Sequence, residues 1–219
     1  MRASGILMGI SSLPSRYGIG CFSKEAYEFV DQLEKAGQQY WQILPLGPTG
    51  YGDSPYQSVS TFAGNPYFID LEELIDKELL TKEECESCDW GGSEAYVDYE
   101  KMYLSRYKLL RKAYGRADLK KDSDYAEFLK EEKDWLEDYC LFMAIKNDQK
   151  GICWIDWPDE LKDRHSKAVK EAGKELAEEI EFYSFQQYCF TTQWRKLKAY
   201  ANAKGISIIG DVPIYVALD

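Results

Sequence analysis

The chain has 219 residues, 45% of them apolar and 15% aromatic, enough to bury a sizeable core as one large domain or one domain carrying an insertion. Its 27 Lys and Arg against 38 Asp and Glu leave a formal net charge of -11, which repels a phosphate backbone and an anionic membrane surface and excludes nucleic acid and membranes as expected partners. An uncharged ligand is indifferent to that charge, and 17 Tyr and 6 Trp supply flat faces with polar tips suited to a polyhydroxylated one.

The N-terminal MRASGILMGISSLP is too quickly broken to act as a secretory signal, and no later stretch approaches the roughly 20 apolar residues that cross a bilayer, so a cytoplasmic protein is expected. Within it, residues 5–10 (GILMGI) form an apolar run without alternation, as in a strand covered on both faces. The turn formers of SSLPSRYGIGCF follow. FSKEAYEFVDQLEKAG then predicts a helix with Ser23 as N-cap, one apolar face of Ala26, Phe29, Val30 and Leu33, and Gly37 as terminator. Residues 39–44 (QYWQIL) read as a second strand, stopped by Pro45. Strand, helix, strand is the order of a parallel βαβ unit.

From about residue 71 to 180 long charged segments such as YAEFLKEEKDWLEDYCLFMAIKN predict helices with mixed-charge solvated faces, a helical insertion in the strand order. Within it Cys85 and Cys88 form a CxxC, and His165 lies far off. With no second cysteine pair a four-ligand zinc site is hard to assemble, and the six scattered cysteines are expected as ordinary reduced thiols. FYSFQQYCFTTQWRKLKAYANAKG is a further helix closed by Gly205, and Ile206 to Ile209 form another buried-type strand. That strand runs into Gly210, Asp211 and Pro213, so its carboxyl end carries an acid and a rigid turn. Parallel strands with polar turn residues at their carboxyl ends belong to a barrel or an open α/β sheet, whose sites sit at those ends.

The second strand empties into PLGPTGYGDSPYQ, residues 45–57, which holds three prolines, three glycines and two tyrosines. Such a loop can keep Tyr51, Asp53, Ser54 and Tyr56 in set positions with little entropy left to lose. Two readings stand on these residues alone. In one, Tyr rings stack on the apolar face of a sugar while Ser54, Asp53 and Gln57 bond its hydroxyls; in the other, the loop is a tight turn whose rings plug the top of the sheet. Asn65, Pro66 and Tyr67 read as the turn that seats this loop against the next helix.

PLGPTGYGDSPYQSVSTFAGNPYFIDLEEL, with GILMGISSLPSRYGIGCF before it and GDVPIYVALD at the end, closely resembles the 4-α-glucanotransferases of glycoside hydrolase family 77, the amylomaltase or disproportionating enzymes. The resemblance implies an α/β fold that is the N-terminal part of a (β/α)8 TIM barrel, about three strands, with a helical insertion. Residues 1–70 would carry the first strands and the site loop, 71–180 the insertion, and 181–219 a barrel helix and the third strand. It also implies transfer of α-1,4-glucan segments between maltooligosaccharides by a retaining mechanism, with no metal or organic cofactor. That mechanism needs an Asp nucleophile and a Glu acid/base roughly 5 Å apart.

Carried over by position, Tyr51 matches a loop tyrosine that contacts glucan, and Ser54 and Tyr56 match residues lining the donor subsite, Tyr56 as stacking platform. Asp211 falls in a strand-end motif where a carboxylate bonds sugar or orients its neighbours, and Asp219 begins the motif that follows. The nucleophile and the acid/base of the family lie on later strands, in motifs this sequence does not contain. The expectation is therefore a chain that supplies glucan-binding loops without the catalytic pair. A non-catalytic glucan-binding domain and a hydrolase with water as acceptor are the alternatives, and a pairing of Asp53 with Asp211 is left open by sequence.

Overall fold

The structure, a computed structural model, describes residues 2–50, 52–93, 95–213 and 215–217. Three strands, β1 (Gly5–Leu7), β2 (Tyr40–Gln42) and β4 (Ser207–Ile209), form a parallel sheet in the order β1-β2-β4. A second parallel pair joins β3 (Gln57–Ser58) to β5 (Tyr215–Val216) beyond the carboxyl ends of β2 and β4.

Helix α1 (Lys24–Lys35) makes the first crossover, and its predicted face is the one it buries: Ala26, Val30 and Leu33 are in the core, while Phe29 packs edge-on to Trp41 of β2 at 5.1 Å. Ser23 is the N-cap residue, but its hydroxyl donates to Glu25 Oε2 instead of accepting a backbone N–H. A carboxylate two residues away is the stronger acceptor. At the other end Gly37 takes φ +68 and lets Gln38 N–H reach back to Leu33 O at 3.0 Å, which turns the chain directly into β2.

Between β3 and β4 the chain is helical: α2 (Leu71–Asp76), α3 (Lys82–Glu86), α4 (Tyr99–Arg116), α5 (Ser123–Glu131), α6 (Lys133–Asp148), α7 (Asp159–Lys162), α8 (Ser166–Glu175) and α9 (Ala177–Ala203). Helix α9 runs unbroken across residue 180 and is the axis of the core, burying Phe182, Phe185, Cys189, Phe190 and Leu197 against α6, α4, α1 and the sheet. Cys85 is a buried free thiol and Cys88 a half-buried one. His165 is exposed, at the N-terminal end of α8.

The strands differ from the expectation of cover on both faces. Helices lie over one face, where Trp41 is fully buried. On the other, Leu7, Gln42 and Ile209 stand in one row across the sheet, and Leu7 is 58% and Ile209 43% exposed. A parallel strand reads as uniformly apolar when a layer packs on each side; this chain provides one such layer.

Candidate functional site

The loop after β2 is closed at its base by Asn65, whose N–H donates to Leu46 O at 2.8 Å and whose side chain accepts from Tyr67 N–H at 3.0 Å. That bond opens the 3-10 turn Pro66–Phe68, so the Asn-Pro-Tyr seat read from sequence forms as expected. Within the loop Asp53 takes φ 54, a left-handed conformation that Asp tolerates better than most residues. Ser54 Oγ accepts from Tyr56 N–H at 3.3 Å and Ser54 O from Gln57 N–H at 3.1 Å, a tight turn that aims Tyr56.

Tyr56 meets Asp211 across 155 residues of sequence: the phenol donates to Asp211 Oδ2 at 2.8 Å. This bond raises the Tyr56 hydroxyl above its ordinary pKa, because a phenolate there would face the carboxylate. Asp211 Oδ1 accepts from Val212 N–H at 2.8 Å, which fixes the carboxyl plane. The Tyr56 ring remains 37% exposed, so a flat face is available beside an anchored hydroxyl. The β3–β5 pairing lies just beyond and ties the loop's far end to the chain leaving Asp211.

Asp211 and Asp53 line two different cavities. Asp211, Gly210 and Val212 line an open groove of about 440 Å³ whose opposite wall carries Trp135, Trp194 and Arg195. Phe62, 71% exposed, stacks on Trp135 there with ring planes 18° apart. Asp53 instead lines a small cavity of about 30 Å³ with Ser11, Asn65, Tyr67 and Tyr99, and burial pushes its carboxyl above the usual range.

Of the residues singled out in the sequence, the structure therefore brings together Tyr56 and Asp211, with Ser54 setting the turn that leads into Tyr56. Asp53 lines a different cavity from Asp211, and its carboxyl is raised by burial, with no contribution from the Asp211 charge. Tyr51 and Asp219 lie outside the described residues. The sequence reading did not single out Phe62 and Trp135, whose stacking depends on α6 reaching over the loop.

The profile of glycoside hydrolase family 77, described as 4-alpha-glucanotransferase, matches residues 8–219. A 4-alpha-glucanotransferase of Clostridium butyricum is 51% identical over 212 residues, 97% of this chain and 44% of that protein. One from Thermus thermophilus is 47% identical over 222 residues, 100% of this chain and 43% of that protein. The chain thus spans less than half the length of the curated relatives it matches. Among solved structures, an amylomaltase from Streptococcus agalactiae in complex with acarbose superposes with a TM-score of 0.94 at 40% identity, covering 100% of this chain and 45% of that one. An amylomaltase from Corynebacterium glutamicum shares the fold, with a TM-score of 0.75 at 17% identity.

Proposed function

Since the chain belongs to the 4-alpha-glucanotransferase family of glycoside hydrolases, we propose that it is the glucan-holding N-terminal part of such an enzyme, acting on maltooligosaccharides. The observation that carries this reading is the hydrogen bond between Tyr56 and Asp211, which sets an aromatic face and a carboxylate side by side at the carboxyl ends of parallel strands. A ring of this kind packs on the apolar face of a glucose unit, while the carboxylate and Ser54 accept from or donate to its hydroxyls.

In this reading the sheet is the start of a (β/α)8 barrel. Residues 1–70 carry the first barrel strands and the site loop, 71–180 the mainly helical insertion, and 181–219 a barrel helix and the third strand, with α9 running through from the end of the insertion into that barrel helix. Tyr51, Asp53 and Asp219 complete the sugar-contacting set. The nucleophile and the acid/base stand on strands beyond residue 219, and the two-step displacement passes through a glycosyl-enzyme that a second sugar, rather than water, resolves. The reaction asks for no metal or organic cofactor. A cytoplasmic location fits the soluble substrate, and among the described residues no helix is long and apolar enough to cross a membrane.

The test is incubation with maltotriose and chromatography of the products. The full-length protein is expected to give glucose and longer oligosaccharides, its Asp211→Asn variant to fold and give them at least about tenfold more slowly, and the 219-residue chain alone to give none. Undiminished transfer by Asp211→Asn would remove Asp211 from the site. A ladder from the short chain would place the catalytic pair within it.

A further inference from the structure

The segment that returns from the loop to the helices approaches α9 so closely that a Cβ added at Gly64 would meet the Phe190 ring at 2.1 Å. At that contact Gln187, 1% exposed, turns its amide onto the Gly64 backbone in both directions. Gly64 N–H donates to Gln187 Oε1 at 2.7 Å, and Gln187 Nε2 donates to Gly64 O at 2.9 Å. An amide is the side chain that supplies one donor and one acceptor in a plane, so it can satisfy both groups of a buried peptide that belongs to no strand. Six residues on, Gln193 does the same to Asp70, accepting from its N–H at 2.7 Å and donating to its carbonyl at 3.2 Å.

The two pins differ in what lies beyond them. From Gly64 back to Tyr56 the chain is held by a relay of serine hydroxyls. Ser60 Oγ accepts from Ala63 N–H at 3.1 Å and Phe62 N–H at 3.2 Å, and Ser58 Oγ donates to Ser60 O at 2.7 Å while accepting from Ser60 N–H at 3.3 Å. Ser58 is buried, stands in β3 against Val216, and lies two residues from Tyr56. Gln193 holds the start of α2, past the turn that closes the loop.

We propose that Gln187 is a positioning residue for glucan transfer: by fixing Gly64 it holds the Ser58–Ser60 relay in place and, through it, sets the Tyr56 ring against Asp211. The inference rests on Tyr56 contacting the sugar. Gln187 touches no substrate itself; its loss lets the loop base shift, and misplacement of a contacting group by about 1 Å costs on the order of a hundredfold in rate.

The experiment is a double-mutant cycle in the full-length protein, with kcat and KM for maltotriose measured well below each variant's melting temperature. Gln187→Met, close in volume but unable to bond the peptide, is expected to lower kcat/KM about tenfold or more. Combined with Tyr56→Ala it is expected to add less than about twofold to the loss Tyr56→Ala already shows. Gln193→Met should lose thermal stability to a similar degree yet stay within about twofold of the parent in kcat/KM. If Gln187→Met does not fold, Gln187→Glu, which keeps the acceptor for Gly64 N–H and drops the donor, carries the same cycle.

Equal losses with and without Tyr56, or an equal loss from Gln193→Met, would overturn the positioning role and leave Gln187 a stabilising residue. An unchanged kcat/KM in Tyr56→Ala alone would overturn the sugar-contacting role of Tyr56, and the role of Gln187 with it.

Discussion

A fully buried guanidinium, that of Arg106, ties the loop after β1 to the segment that leads into α2. It donates to Ile69 O at 2.7 Å, approaches Tyr17 O at 3.5 Å and faces the Trp90 ring at 5.6 Å. The carboxylate whose charge acts on it is that of Asp70, which caps α2 by accepting from Glu72 N–H at 3.1 Å. Burial pushes the Asp70 carboxyl up to about 6, against the pull of Arg106 and of the Glu72 and Glu73 backbone, with the Glu72 charge adding to the rise. A carboxyl raised in the folded state above its unfolded value near 3.9 stabilises most fully below that value, and the stability is lost as pH climbs through about 6. Asp70→Asn keeps the cap and removes the titration. Urea unfolding of the full-length protein should therefore show the parent losing on the order of 1 kcal/mol relative to Asp70→Asn between about pH 5 and about pH 7. Parallel curves for the two proteins would mean that Asp70 is ionised throughout. None of this was legible in the sequence, where Arg106 reads as one more charge on a solvated helix face; its burial follows from α4 crossing two loops that lie 37 and 89 residues away.

At the scale of elements, what could be read was what local chemistry decides. The apolar stripe of α1, the glycines that end α1 and α9 with φ +68 and +74, and the Asn65-Pro66-Tyr67 turn all form where their residue types place them. Tyr56 and Asp211 are candidates through motif resemblance, and their hydrogen bond could not have come from spacing. The seating of the loop on α9 was hidden for the same reason: both glutamine pairings span 123 residues, and a buried Gln carries no signal of which peptide it will meet. The closeness of that seating gives a prediction. Gly64→Ala forces a methyl into the Phe190 ring, and the ring is held in turn by Phe22 at 5.1 Å. The variant should lose about 1–3 kcal/mol, the range for overpacking a filled site, in the same urea measurement. Parent-like stability would show that the loop lifts away from α9 at little cost, which would also weaken the argument for Gln187.

For the whole molecule, the decisive feature is the uncovered row Leu7, Gln42, Ile209 on a sheet whose two outer strands each leave an edge without a partner strand among the described residues. Next to this row Tyr40 is 38% exposed, and past its end Val212 is 63% exposed, so the apolar surface continues toward the open groove beside Asp211. Contiguous apolar surface of this kind drives association. Against it stands the net charge of -11, which holds copies apart while ionic strength is low. The two forces respond differently to salt: repulsion between exposed charges is screened beyond about 10 Å at 0.1 M, whereas apolar burial is not weakened. The 219-residue chain alone should accordingly be more monomeric at low salt and self-associate as salt rises. Replacing Leu7 and Ile209 together by Glu should hold it monomeric further up the series, since both side chains stand on the face away from the helices and the change adds to the negative charge that keeps copies apart. Sedimentation velocity across a salt series measures this directly. A chain that stays monomeric at high salt and unfolds reversibly in one cooperative step would be a self-sufficient domain, and would shift the reading of its function toward a free-standing glucan-binding module; salt-driven association relieved by the two glutamates is the behaviour of a sheet that needs a further layer over Leu7 and Ile209.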